Sequence, residues 1–380
     1  MILPVFIFLS LYLIHMIVSA RTVTLSNTRL PLDTSGSPLK TGEASFLFAQ
    51  GVYWAYLNNW GACKGVDCCP SPSGCASCCF HDGYAPDPCV YTNNHSVVVY
   101  STPDFNDWYF QGEALPPSAR RPGIEFRPQV VFNQSHYLMW YEDRWNSSLN
   151  PGYALAVALH PAGPFITTNA SIVMGGSGRV GDYDVFVDPD SGRGYHVRTG
   201  ITIQPLDSTM SKPEGAAVDV PHSGVEGPAM FKRFGVYYLL VGAGCCACRG
   251  GSNVIVYTAP APLGPWTLQG DVGSNTTDGH TYDAHSPWNY VTRASAPTRI
   301  FFANSKPLKK IPQAQQTKVV AVPDAEGTEQ FLWVGNQWVT STEAGAPRNN
   351  DLLFFAVLNF ADDGNVTQMQ WAESATLHIP

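Results

Sequence analysis

The sequence predicts an all-β protein: a five-bladed β-propeller with a disulfide-rich insertion in its first blade. Three observations predict it. No stretch sustains a 3.6-residue apolar period, whereas short β-branched and aromatic runs bounded by Gly, Pro, Asn and Asp recur throughout. A two-part pattern, an aromatic strand after a tight turn and then a second apolar strand, returns five times. Seven of the ten cysteines lie between Cys63 and Cys89, inside the first repeat. Small sheets repeated around an axis hide their edges and leave a central channel. A β-sandwich of the same strands is the alternative, and the regular repeat favours the ring.

The elements follow in order. Residues 2–18 are almost continuously apolar, and Ser19-Ala20 offers small residues before Arg21. That is a cleaved secretory signal over residues 1–20, with an uncleaved anchor as the alternative. The run is short for a membrane span and has no basic stop-transfer flank. Residues 21–380 then form a single propeller domain, since no linker divides them. The aromatic strands are read at 51–56, 135–141, 194–197, 235–240 and 298–302, and their followers at 96–100, 153–157, 201–203, 253–257 and 352–357. The stretch 306–316 reads as a loop inside the last blade.

The cysteine count is even, and six Asn-x-Ser/Thr sequons stand at Asn94, Asn133, Asn146, Asn169, Asn275 and Asn365. Both agree with export and an extracellular location. A loop so rich in Gly, Pro and Cys has little core of its own and would be held by disulfides. Cys75-x-x-Cys78 has the spacing of a zinc pair, but histidines and further CxxC partners are poorly placed for it. The chain has 380 residues, is 44% hydrophobic, and carries a net charge of -8 with no basic run. Phosphate binding needs clustered Lys and Arg, so a nucleic-acid partner is excluded, and no membrane association is expected after signal cleavage. A monomer is expected.

Polar residues collect at the entrances to the predicted inner strands: Glu43, Glu125 with Arg127, Asp182, Glu226 and His285. Each taken singly could be an ordinary surface or turn residue. Their recurrence at one point of a repeat would bring them to one rim. Cleaving an acetal needs a proton donor on the leaving oxygen and a second carboxylate across the sugar ring. The donor must stay protonated near neutral pH, which burial or a neighbouring carboxylate achieves. Trp60, Trp145 and Trp288 are candidate platforms for a sugar face, with structural burial the competing reading.

Over about residues 31–380 the chain resembles glycoside hydrolase family 43. Glu226-Gly227-Pro228 before an aromatic strand resembles the family's general-acid motif. Asp182-Tyr183-Asp184-Val185-Phe186-Val187-Asp188 resembles the strand of its pKa-modulating Asp, and Glu43-Ala44-Ser45 occupies the place of its general base. The resemblance implies a five-bladed propeller, an inverting mechanism, and catalytic roles for Glu226, Asp182 and Glu43, with Glu125 or His285 as substitutes for the base. It further implies Glu125, Arg127, His285, Trp60 and Trp288 as substrate-binding residues. No cofactor is required, but His285 would help hold a calcium-like ion in the central channel through water. Pro31-Leu32-Asp33-Thr34, Arg127-Pro128-Gln129-Val130 and Asp362-Asp363-Gly364 with Trp371 are similar to the exo-β-1,3-galactanase branch. That branch has a Glu directly before its Arg-Pro pair, where Phe126 stands here, and a fifth-blade Gln, where this chain has His285. The partner implied is a polysaccharide or oligosaccharide of the galactan, arabinan or xylan class. A catalytically inactive sugar-binding propeller and a structural cysteine-rich protein are the competing readings.

Overall fold

Val, Ile, Tyr, Phe and Trp favour a pleated surface covered on its faces, and among the described residues they build 21 strands. The computed structural model describes residues 21–60, 95–121, 124–144, 152–222, 224–243, 252–274, 314–337 and 351–380. The predicted signal at 1–20, all ten cysteines, three sequons (Asn94, Asn146, Asn275), and Trp145, His285 and Trp288 lie outside the described residues.

The chain enters through β1 (Arg21–Ser26). Blade one is β2 (Gly42–Ala49), β3 (Val52–Asn59), β4 (Ser96–Thr102) and β5 (Tyr109–Leu115). Blade two is β6 (Ile124–Phe132), β7 (Tyr137–Arg144), β8 (Gly152–Ala158) and β9 (Ile166–Ile172). Blade three is β10 (Tyr183–Val187), β11 (Gly194–Arg198), β12 (Thr202–Pro205) and β13 (Val218–Asp219). Blade four is β14 (Val225–Arg233), β15 (Val236–Ala243), β16 (Ile255–Ala259) and β17 (Thr267–Asp271). Blade five shows β18 (Gln315–Pro323), β19 (Glu329–Gln337) and β20 (Leu352–Val357), and β21 (Ser374–Ile379) ends the chain. All ladders within the blades are antiparallel.

The ring is seen in how the first strands of the blades meet. β2 packs on β6, β6 on β10, β10 on β14 and β14 on β18, and β18 returns to β2. Five buried apolar clusters fill the five seams between neighbouring blades. Tyr56, Val99, Met139 and Ala156 lie between blades one and two, and Trp140, Tyr153 and Val185 between two and three. Val197, Leu239 and Ile255 lie between three and four, and Leu240, Trp333 and Phe354 between four and five. Leu57, Val98, Leu332 and Leu353 close the ring between five and one, with Leu25 of β1 and Leu377 of β21 added to the same cluster. A middle strand such as β3 is therefore buried on both faces, whereas the outermost β5 and β9 are largely exposed.

Both chain ends help to close the circle. β1 pairs with β21 from Arg21↔Ile379 to Ser26↔Ser374. The Asn27 amide then imitates a strand residue: its Nδ2 donates to the Phe355 carbonyl at 2.9 Å and its Oδ1 accepts from the Phe355 N–H at 2.7 Å. Arg21 reaches blade one through an ion pair with Asp104 at 2.6 Å.

Two expectations need correcting. Glu226 does not precede an inner strand at 236–241: it lies inside the inner strand β14, and 236–241 belongs to the second strand, β15. Gly227-Pro228 reads as a break in sequence but is a bulge within the strand. In blade five the described aromatic second strand is β19, the strand read at 298–302 lies outside the described residues, and Gln315 and Gln316 open the inner strand rather than ending a loop. Gln315 donates to Asp182 and Gln316 to the carbonyls of Gly227 and Leu240, so the strand starts with polar side chains and no apolar signal.

Candidate active site

Four of the five inner strands share a distortion at one end. Their ladders slip between Gly42 and Ser45 in β2, Phe126 and Gln129 in β6, Glu226 and Ala229 in β14, and Gln316 and Lys318 in β18. A bulge turns a strand and re-aims its side chains, and such features gather beside functional sites. The bulged residues Glu43, Arg127 and Gly227 have φ of 49°, 54° and 58°. The left-handed region strains a residue with a Cβ, so Glu43 and Arg127 are held there by their surroundings. At Gly227 an added Cβ would also stand 2.8 Å from the Gln316 carbonyl oxygen, so glycine is required. The register shows that Glu43 is equivalent to Arg127 and Gly227, while Glu226 stands one step earlier, level with Gly42 and Phe126. The acids thus converge on one rim from different registers.

Arg127 is the hub of that rim. Its side chain is 1% exposed. One guanidinium nitrogen pairs with Asp182 Oδ2 at 2.8 Å and another donates to the Gln316 carbonyl at 2.8 Å, reaching from blade two to blade five. Its backbone N–H donates to Glu43 Oε2 at 2.9 Å. Burial opposes the Arg127 charge, but the carboxylates of Asp182, Glu43, Glu226 and Glu142 together hold its pKa above the ordinary value. Glu43, Asp182 and Glu226, separated by up to 183 positions of chain, are therefore grouped around one cation.

Each acid has its own environment. Glu43 is buried, and Asn58 Nδ2 donates to its Oε2 at 3.1 Å. Burial pushes its carboxyl up, Arg127 opposes this, and Asp182 and Glu142 add to it, giving a pKa of about 7. Asp182 keeps 14% of its side chain exposed and receives Gln315 Nε2 on Oδ2 at 2.8 Å. Glu226 is partly exposed at the start of β14. The hub is buttressed from beneath: Tyr183 Oη donates to the Arg127 carbonyl at 2.7 Å, and the His196 ring stacks on Tyr183 with centroids 4.7 Å apart.

Two other expected residues lie elsewhere. Glu125 is buried and ion-paired with Arg120, and its N–H donates to His95 Nε2 at 3.0 Å. Trp60 is 1% exposed and packs on His95 and Phe126, so it offers no open face to a sugar. His285 and Trp288 are outside the described residues. Reading the inner-strand entrances alone missed Glu142, which lies near the end of the aromatic strand β7, and also Asn58 and Gln315. An acid closing an apolar strand, as in Trp140-Tyr141-Glu142, was the available signal. Gln315 opens the inner strand of blade five and contacts Asp182 at 2.8 Å.

The implied channel ion was tested against the donors present. Among the described residues no group of three or more His, Cys, Asp or Glu side chains is placed to hold a metal ion. The buried channel carboxylate, Asp184, already faces the ammonium of Lys318. The described channel residues do not fit a divalent cation at that point. Two open grooves elsewhere, one against Phe355, Met369 and Thr376 and one against Arg233, Phe331 and His378, bring no two carboxylates together.

Comparison with known proteins agrees with this geometry. The family model for glycosyl hydrolases family 43 matches residues 88–297, more than half of the chain. The chain belongs to glycosyl hydrolases family 43. Membership makes it a glycoside hydrolase by family, and the propeller is the family-43 propeller. An exo-β-1,3-galactanase from Phanerochaete chrysosporium aligns at 17% identity over 92% of this chain and 67% of that one, with a TM-score of 0.63. An exo-β-1,3-galactanase from Clostridium thermocellum aligns at 19% identity over 92% and 66%, with a TM-score of 0.65. A family-43 β-1,3-galactosidase bound to galactodeoxynojirimycin aligns at 17% identity over 92% and 99%, also with a TM-score of 0.65. The chain thus spans about two thirds of each galactanase and nearly all of the galactosidase. At these identities the likeness is one of fold. No curated protein matches the chain.

Proposed function

We propose that this family-43 chain is an exported, inverting glycoside hydrolase that releases sugars from chain ends of a plant- or algal-type polysaccharide, with β-1,3-galactan the first candidate. The carrying observation is the grouping of Glu43, Asp182 and Glu226 around Arg127. Glu226, the more open acid, donates its proton to the glycosidic oxygen as the C1–O bond breaks. Asp182, fixed by Arg127 and Gln315, orients the sugar and keeps the proton on Glu226 by its negative charge. A water attacks C1 from the opposite face and loses its proton to Glu43, which is ionised above a pH of about 7. The galactan preference rests on the names of the similar structures. Arabinan and xylan remain members of the same proposal. Export rests on the leader, the clustered cysteines and the sequons, of which Asn169 and Asn365 are exposed.

The test is a panel of aryl glycosides with β-1,3-galactan, arabinan and xylan, followed by anomer-resolved proton NMR. One polysaccharide should yield a small sugar whose first-formed anomer is inverted. A retained anomer would contradict the role of Glu43 as general base to a water, because inversion leaves room for that water with acid and base about 6.5–9.5 Å apart. Binding of the glycan without any release would reduce the protein to a sugar-binding propeller. The near-complete satisfaction of Glu43 Oε2 by Asn58 and Arg127 is the feature that favours that second reading.

A further inference from the structure

Below the acidic rim, the channel is crossed a second time. Asp184 lies on β10, the inner strand of blade three, and Lys318 on β18, the inner strand of blade five. Blade four stands between them in the ring, yet Lys318 Nζ pairs directly with Asp184 Oδ1. Asp184 is 0% exposed and Lys318 14%. The other carboxylate oxygen, Oδ2, accepts the backbone N–H of Met230 on β14 at 2.9 Å. Lys318 Nζ also lies 3.4 Å from the Val185 carbonyl. One carboxylate and one ammonium thus tie together the inner strands of three successive blades.

A buried carboxylate in a channel of this kind needs a cation. A divalent ion brings two charges and demands oxygen ligands around it. Lys318 instead brings one fixed charge, covalently delivered, and its donors meet Asp184 and a carbonyl. Bringing a divalent ion against Asp184 would set two cations side by side in a poorly solvated channel, where like charges repel strongly.

We propose that the Lys318 ammonium is a built-in substitute for a channel metal ion, so that blades three, four and five are held together without a divalent cation. Removing the amino group leaves Asp184 buried and unpaired, and opens a cation site at that point. The proposal concerns assembly of the channel and stands whether or not the proton-transfer roles above are right.

The experiment is thermal unfolding of the purified full-length protein and of Lys318→Ala, each in EDTA and in excess calcium, with folding followed by circular dichroism. Wild type should unfold at the same temperature in EDTA and in calcium. Lys318→Ala in EDTA should unfold roughly 5–10 °C lower, as expected for a buried charge that has lost its partner in a chain of this size. Calcium should restore part of that loss by binding the folded state. Lys318→Arg, which keeps the charge, should remain indifferent to both additions. The proposal is overturned if wild type is destabilised by EDTA and recovers with calcium. It is equally overturned if Lys318→Ala matches wild type in EDTA, or is destabilised but does not respond to calcium. Should the alanine variant fail to fold, the chelation response of wild type and of Lys318→Arg still decides the matter.

Discussion

Two buried arginines seven residues apart show what distinguishes a site from a scaffold in this molecule. Arg120 pairs with Glu125 and donates to the carbonyls of Arg121 at 3.0 Å and His95 at 2.6 Å. Arg127 faces Asp182 and Glu43 directly and feels Glu226 and Glu142 as well. The first arrangement closes on itself. The second gathers more negative charge than one guanidinium can neutralise, on backbone held at positive φ. Stability alone does not call for that surplus. Proton transfer at a glycosidic bond does, because it needs carboxyls whose affinities for protons are pushed apart.

The largest effect separating the two regions is expected at the proton donor. Glu226→Gln should lower kcat on a glycan by about 10³-fold, within the range for general acid catalysis, with the circular dichroism spectrum unchanged. A loss of less than tenfold would place the chemistry elsewhere. Next, Arg127→Lys keeps the charge but loses the fork that reaches Asp182 and the Gln316 carbonyl together. Its kcat should fall about 10²-fold, with KM changing less, measured as initial rates across substrate concentrations.

Glu43 provides a test on stability. Its folded pKa of about 7 lies above the ordinary glutamate value of 4.5. Between those values the folded state holds a proton that the unfolded chain has lost, so stability falls as pH rises through this window. Glu43→Gln keeps the protonated form's shape and removes the titration. It should match wild type in chemical denaturation near pH 4 and exceed it by about 3 kcal/mol near pH 8. Equal stabilities at both pH values would mean that Glu43 titrates normally. The smallest effect belongs to the other arginine. The paired change Arg120→Met with Glu125→Leu replaces a closed ion pair by apolar side chains. Stability should stay level or rise by roughly 1–4 kcal/mol in urea unfolding, and turnover should stay within about threefold. A collapse of turnover would move Glu125 into the active machinery.

Much of the architecture was legible because a propeller repeats its own signature. Strands such as 137–144 and 236–243 carry aromatics after a turn, and followers such as 255–259 carry β-branched residues. Inner strands were harder. Gly227-Pro228 and Arg127-Pro128 look like breaks, yet each is a bulge that keeps the ladder going on both sides. β18 begins with Gln315-Gln316-Thr317 because these side chains hydrogen-bond to Asp182, to the Gly227 and Leu240 carbonyls and to the Val334 carbonyl, so its start carried no apolar mark. Glu226, Asp182 and Glu43 were found from their motifs. Glu142 and Gln315 were not, because only the closed ring brings the end of β7 and the start of β18 to the same rim. Trp60 illustrates the converse: the sequence offers it as a sugar platform, but it is 1% exposed and packs on His95 and Phe126.

The assignment of Glu226 as proton donor is tested most directly by how the Glu226→Gln variant responds to the leaving group. An aryl glycoside with a strongly acidic phenol departs without a proton, whereas a sugar hydroxyl needs one. The variant should lose about 10³-fold on a disaccharide and less than about tenfold on the activated aryl glycoside. Equal losses on the two substrates, or no loss on either, would contradict the assignment.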